Sequence, residues 1–200
     1  MTTPPMGLTF NETLTGGWQQ GQTEPAKGAI EGAHTPLSIH NVITIDDLDR
    51  FEASPQHVAQ LAVTLDFAPW GEGLVGRGGT FNLFATPDDA HVKEMIYRFT
   101  FDHDEKPHYF EGRKFIHDGS SLAQLLFEST HLFSRIYEGT DASGPVVGAG
   151  VIHIGVLGTI ALVRSMRVTH AQSALDEAKA LTSFGEFFLG ELWHSYRAHR

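Results

Sequence analysis

The stretch Lys93–Asp118, "KEMIYRFTFDHDEKPHYFEGRKFIHD", decides how this chain is read. Its first half sends Met95, Tyr97, Phe99 and Phe101 to one side of an extended chain, and Ile96, Arg98 and Thr100 to the other. Side chains alternate between the faces of a strand, so a period of two is a strand signature. The polar run "DHDEKP" then turns the chain, and "HYFEGRKFIHD" returns as a second strand, which makes a hairpin.

The same period extends outward in both directions. "GLTFNETLTG" alternates Leu8, Phe10, Glu12 and Leu14 with Thr9, Asn11, Thr13 and Thr15. "SIHNVITI" is rich in β-branched residues, and "HVAQLAVTLDF" alternates Ala59, Leu61, Val63, Leu65 and Phe67. "LLFESTHLFSRIYEG" reads as a strand with Glu128 and Thr130 on one face and Phe127 and His131 on the other. "VVGAGVIHIG" and "VRSMRVTH" complete the set. "DDLDRFEAS" reads as a short helix starting at Asp46, and residues 17–36, polar and rich in Gly and Pro, as a long loop.

Over residues 171–197 the period changes. Leu175, Ala178, Leu181, Phe184, Phe188, Leu192 and Tyr196 fall three or four apart, the stripe of an amphipathic helix. Thr169 with Gln172 is its candidate capping box. Eight or so strands in hairpin order with one terminal helix predict a single mainly-β domain over residues 1–200. Its expected form is an antiparallel β-barrel, lipocalin-like in general shape, with the helix covering the sheet or plugging one end. A barrel of about eight strands holds one small ligand.

Composition narrows the function. The formal net charge of −10 disfavours nucleic acid as a partner. Without cysteine there is no disulfide framework, no thiolate metal site and no cysteine nucleophile. The N-terminus lacks a basic region followed by an apolar run. The long apolar stretch "PVVGAGVIHIGVLGTIALV" is interrupted by glycines and His153, which disfavours a membrane span. A soluble cytoplasmic protein is the expectation.

Gly71, Gly73 and Gly76 in "GEGLVG" match the dinucleotide pattern G-x-G-x-x-G. That loop must open a helix whose N-terminus holds the pyrophosphate. Here the alternating strand "GTFNLF" follows, so the glycines are read as a connection between strands, and no cofactor is expected. His103 and His108, with Asp102 and Asp104, flank a polar turn; a solvated hairpin turn is preferred to a metal site there, and no metal is expected.

Polar residues inside apolar strands are the candidate site. Glu128 and His131, on opposite faces, are each a candidate catalytic acid or base if that face points into the barrel. Arg98, Tyr97, Arg113, Arg135 and Tyr137 are candidate ligand-binding residues. The competing reading of these side chains is a ladder of exterior ion pairs. Asn11 and Glu12, being adjacent, face opposite sides of their strand and cannot line one pocket together.

Several phrases recur in a fixed order: "FNETLTG", "ITIDDLDRF", "GTFNLF", "YRFTF", "GRKFIHD", "HLFSRIYEG", "GAGVIHI" and "SFGEFFLGEL". From about Phe10 to Tyr196 the chain resembles the extra, non-flavin domain that accompanies some bacterial glucose–methanol–choline oxidoreductases of the cholesterol-oxidase-like kind. Similar segments stand beside hydrolase-like domains. The flavin-binding domain of that family is absent here, so its oxidase activity does not carry over, and the accessory domain brings no catalytic residues with it. The resemblance implies an apolar ligand, by analogy with sterol and lipid enzymes.

Three functions fit these residues. The first is a barrel that binds a hydrophobic small molecule, a sterol, terpenoid or fatty acyl compound, as an accessory module to a redox or hydrolytic enzyme. The second is a cofactor-free isomerase or cyclase using carboxylate–histidine chemistry on such a molecule. The third is a structural domain that docks another protein.

Overall fold

In the computed structural model, residues 4–86 and 91–197 are described. The alternating segments become strands β1 (Gly7–Gln20), β2 (Pro36–Ile45), β3 (Val58–Phe67), β4 (Gly71–Val75), β5 (Arg77–Ala85), β6 (Val92–His103), β7 (Lys106–His117), β8 (His131–Glu138), β9 (Val146–His153) and β10 (Arg167–Thr169). Five helices intervene: α1 (Pro25–Glu31), α2 (Leu48–Ala53), α3 (Leu122–Thr130), α4 (Val156–Ser165) and α5 (Ala174–Arg197).

Eight strands close into an antiparallel barrel in the order β1-β2-β3-β5-β6-β7-β8-β9, and β9 returns to pair with β1. The remaining two are short additions: β4 pairs with the end of β3, and β10 with the start of β1. The opening hairpin is β6–β7, in register from Val92↔His117 to His103↔Lys106. Its two turn residues, Asp104 and Glu105, both have positive φ (50° and 60°). That is the backbone a two-residue turn needs to match strand twist.

The inward phases form the core. Leu8, Leu14, Ile39, Ile43, Leu65, Phe99, Phe110, Leu132 and Ile136 are all buried. Glycine makes room where the filling is largest: a Cβ on Gly148 would lie 2.1 Å from the ring of Trp18, which is fully buried inside the wall. The two barrel ends are filled differently. At one, Phe184 of α5 meets Phe10 at 6.2 Å, Phe187 meets Phe51 at 6.1 Å, and Phe188 meets Phe84 at 5.3 Å between ring centroids. At the other, Trp70, on the turn between β3 and β4, packs edge-on against Trp18 and Phe67.

Several local readings need correction. Residues 17–36 are not one loop: β1 runs on to Gln20, and α1 packs on the wall so tightly that a Cβ on Gly28 would lie 2.0 Å from the Ala149 carbonyl oxygen. Residues 125–130 are helical, not extended, because Ser121 caps α3 by accepting from the Gln124 amide. Helix α4 takes in residues 163–165, the start of "VRSMRVTH", and leaves only Arg167–Thr169 of that segment as strand. Helix α5 is capped by Ser173 with Asp176, not by Thr169 with Gln172. Its buried stripe includes Ala180 and omits Leu175, which is exposed.

"GTFNLF" also departs from simple alternation. Phe81, Asn82, Leu83 and Phe84 are all buried. The β5–β6 register shifts after Asn82, and Phe84 takes φ of +53°. Such a bulge re-aims a side chain, here turning Phe84 toward α5.

Candidate functional site

Besides Ser134 of β8, whose hydroxyl donates to the Gly150 carbonyl, three inward phases contain a polar interruption at mid-barrel. In β1 it is Glu12, between Phe10 and Leu14; in β2 it is Asn41, between Ile39 and Ile43; in β7 it is Lys114, between Gly112 and Ile116. All three are buried, with 5%, 2% and 2% of their surface exposed. Glu12 and Asn41 are direct cross-strand partners. Strand pairing brings Lys114 opposite Met95, two residues from Tyr97.

These residues meet. The Tyr97 hydroxyl donates to Glu12 Oε2 at 2.7 Å, and Lys114 Nζ donates to Glu12 Oε1 at 3.1 Å. The ammonium also sits 5.2 Å from the centre of the Tyr97 ring. Burial, followed by the neighbouring Glu12 charge, pushes the Tyr97 phenol well above its ordinary range. The phenol therefore stays protonated and donates.

Asn41 completes the layer without a partner. Neither its amide oxygen nor its amide nitrogen makes a hydrogen bond. Trp18 Nε1, His57 Nδ1 and Ser195 Oγ are the other buried side-chain atoms in that condition among the described residues. Asn41 alone leaves both an acceptor and a donor unused, beside a buried ion pair. An unmade hydrogen bond of a buried group costs about 1–3 kcal/mol. A buried ion pair is itself weak evidence of stabilisation, because desolvation offsets the attraction. A layer with both features is poorly explained by stability.

The residues singled out from sequence scatter around this layer. Tyr97 lies inside it. Arg98 and Arg113 point outward, where Arg98 pairs with Glu111 at 3.0 Å and Arg113 with Glu94 at 2.8 Å and Glu111 at 3.1 Å. Two guanidinium groups hold the Glu111 carboxyl below its usual value against the opposing effect of burial. Arg135 donates to the Thr23 carbonyl, and Tyr137 packs near Tyr109 on the outside.

Glu128 and His131 are not brought together as an acid–base pair. On α3, Glu128 accepts from the His117 amide, pairs with His117 Nδ1 at 2.9 Å, and accepts from Ser120 and Gln124. Its oxygens tie the helix to the end of β7. His131 stands on the outer face, stacked on Phe127 at 3.8 Å and His153 at 5.2 Å. Burial, with His153 adding to it, lowers its pKa.

Two surface hollows are also present. One, of about 480 Å³, is on the outer wall and is lined by residues including Asn11, Thr13, His40, Asn41 and Val75, but not Glu12 or Lys114. Thr13 Oγ1, His40 and Asp66 form a chain there at 3.2 and 2.9 Å. The neighbouring pairs Thr15–Ser38 and Thr9–Thr44 show it to be one rung of an exterior polar ladder. The other, of about 210 Å³, lies at the Trp70 end beside Gln20, His103, Lys106, His108 and Glu138. His103 stacks on Trp70 at 4.9 Å. Among the described residues, no group of three His, Asp or Glu side chains is arranged to hold a metal ion. The glycine motif opens no helix: Gly71 (φ of +117°) begins β4, Gly73 (φ of +68°) lies within it, and β5 follows directly.

The reading for reactive types passes over Asn41, weighs Glu12 only beside Asn11, and leaves Lys114 among the polar strand residues without a site role. Their signal is position: each is a polar residue in the apolar phase of a strand. No helix among the described residues is long and apolar enough to cross a membrane. No protein-family model, curated protein or solved structure matches the chain.

Proposed function

We propose that this barrel binds one hydrophobic small molecule of the sterol, terpenoid or fatty acyl class, with the molecule's polar group against Asn41 and the Glu12–Lys114 pair. The observation that carries this reading is the Asn41 amide, almost fully buried yet unpartnered on both its atoms. A site of this kind has apolar walls and a few convergent polar groups that fix orientation. The surrounding layer supplies the walls, with Met95, Phe99, Leu14 and Ile43 adjacent in the inward phases. The hollow beside Trp70 serves as the entrance. The resemblance to a domain that accompanies lipid-directed oxidoreductases supports a role as accessory module to a redox or hydrolytic enzyme.

Thermal melting of the full chain with cholesterol, farnesol and dodecanol tests this. A ligand present at about a hundredfold over its Kd stabilises by about 2.7 kcal/mol. Unchanged melting with all three, and no apolar molecule in an organic extract of the purified protein, would sink the reading.

A docking role is the second reading, and one observation favours it. Helix α4 buries none of its residues, and Val156, Leu157, Ile160 and Val163 on it are exposed, as are Leu126 and Phe127 on α3. Contiguous exposed apolar surface marks interaction sites. A concentration-independent monomer with no ligand in the barrel would shift weight to that reading.

A further inference from the structure

We infer that the barrel takes neutral oxygen-bearing molecules, alcohols and ketones, in preference to carboxylates, and that the Glu12–Lys114 pair sets this choice. The inference rests on the interior-binding reading above and narrows its ligand class.

Charge balance is the first argument. Glu12 and Lys114 are opposite charges in contact, each with at most 5% of its side chain exposed. Lys114 is the one buried Lys or Arg among the described residues. Its charge is already met by Glu12. A carboxylate guest would add a third charge with no counter-charge, in a layer walled by Leu, Ile, Met and Phe. Burying an unpaired charge is far more costly than burying a hydrogen-bonded neutral group.

Hydrogen-bonding capacity is the second. An ammonium has three donors, and Glu12 takes one from Lys114. Asn41 offers two N–H donors and one carbonyl acceptor, with none engaged. A hydroxyl group donates and accepts, so it satisfies both ends of the amide. A ketone satisfies the donors. A carboxylate only accepts, and it would face the Asn41 oxygen and Glu12 as repelling neighbours.

The pair also makes the selectivity reversible. Glu12→Gln removes the negative partner and leaves Lys114 without a counter-charge. A carboxylate guest then supplies the missing charge, and the preference turns toward acids. The double variant E12Q/K114M removes both charges, and acids remain excluded because nothing pairs with them.

The test is calorimetric titration of the full chain at neutral pH with matched probes, dodecanol against dodecanoate and farnesol against farnesoate. The wild type is expected to bind each acid about a hundredfold more weakly than its alcohol, the scale set by an uncompensated buried charge. In E12Q the acid-to-alcohol ratio should rise by a comparable factor, with circular dichroism confirming the fold. Equal binding of acid and alcohol by the wild type overturns the inference and leaves interior binding standing. So does an unchanged ratio in folded E12Q. Should E12Q fail to fold, its rescue decides: folding restored by dodecanoate but not by dodecanol, read by circular dichroism, supports the inference, and restoration by neither or by both alike overturns it. Binding of none of the four probes by the wild type overturns the interior reading itself.

Discussion

Replacing Asn41 by leucine should make this protein more stable. The two side chains have the same number of heavy atoms and both branch at Cγ, so the substitution opens no cavity, and the bulkier leucine methyls offset only part of the gain. What it removes is an amide whose oxygen and nitrogen are both buried and unpartnered. Each such atom carries a desolvation penalty of about 1–3 kcal/mol when its hydrogen bond is unmade. Partial compensation by adjustment of the neighbours brings the net gain to about 2 kcal/mol, near the lower limit for two such atoms. For a chain of this length, each kcal/mol moves the melting temperature by about 2–4 °C, so N41L should melt about 4–8 °C higher. Urea unfolding should show a raised midpoint at constant slope, the mark of a change in stability rather than in compactness. The same variant should lose binding of dodecanol and farnesol. Gain of stability with loss of function identifies a group kept for its ligand. A variant that melts lower than the wild type would refute the reasoning, since the amide would then be satisfied in the folded protein.

Three further outcomes follow from the geometry. Lys114→Met leaves Glu12 buried without its counter-charge and should destabilise by about 3–5 kcal/mol, whereas the double variant E12Q/K114M should recover most of that loss in urea unfolding; additive losses would contradict the coupling. Asp66 is held below its usual value of 3.8, first by the Gly73 amide and then by His40. A carboxylate with a lowered folded pKa contributes stability that is complete above the unfolded value and lost as pH falls through the folded one. The β3–β4 turn should therefore loosen in acid below about pH 4, with amide exchange at Gly73 as readout, and Asp66→Asn should remove the pH dependence. His131, lowered by burial and by His153, behaves alike around its usual 6.5: its neutral form's contribution is complete above that pH and is lost as pH falls through the lower folded value. His131→Phe keeps the stack on Phe127 and should flatten the loss of stability as pH falls below about 6.5, and an unchanged profile would exclude His131 as the source.

The barrel was legible because burial imposes a period of two, and that period survives in β1, β2, β3, β6 and β7 as plain text. The helices were harder wherever a local signal competed with alternation. "LLFEST" alternates well enough to pass for strand, yet Ser121 with Gln124 three residues on is a helix-start signal, and the cap decides. Helix α4 buries nothing, so no stripe records it. The site was obscured by a different habit. Arginines, histidines and tyrosines attract attention as reactive types, but Arg98, Arg113 and Arg135 lie in the outward phase, where solvent tolerates them. Glu12, Asn41 and Lys114 lie in the phase that solvent does not reach. A charged residue there has no default explanation, and the phase assignment that exposes it was already present in the Leu8–Phe10–Glu12–Leu14 alternation.

The aromatic seals at the two barrel ends have a kinetic consequence. The α5 seal is anchored by a long helix whose phenylalanines reach Phe10, Phe51 and Phe84. The Trp70 seal rests on one turn residue between β3 and the short β4. In the proposed reading, a guest at mid-barrel would have to wait for one of them to part, and a turn opens at lower cost than a long packed helix. Residence time is then set by the fluctuation of the protein and not by the strength of the contacts within. Guests of quite different affinity should leave at similar rates and differ mainly in how fast they enter, the reverse of the usual pattern. If the barrel serves a neighbouring enzyme as proposed, contact at the Trp70 turn would be the place where release is triggered.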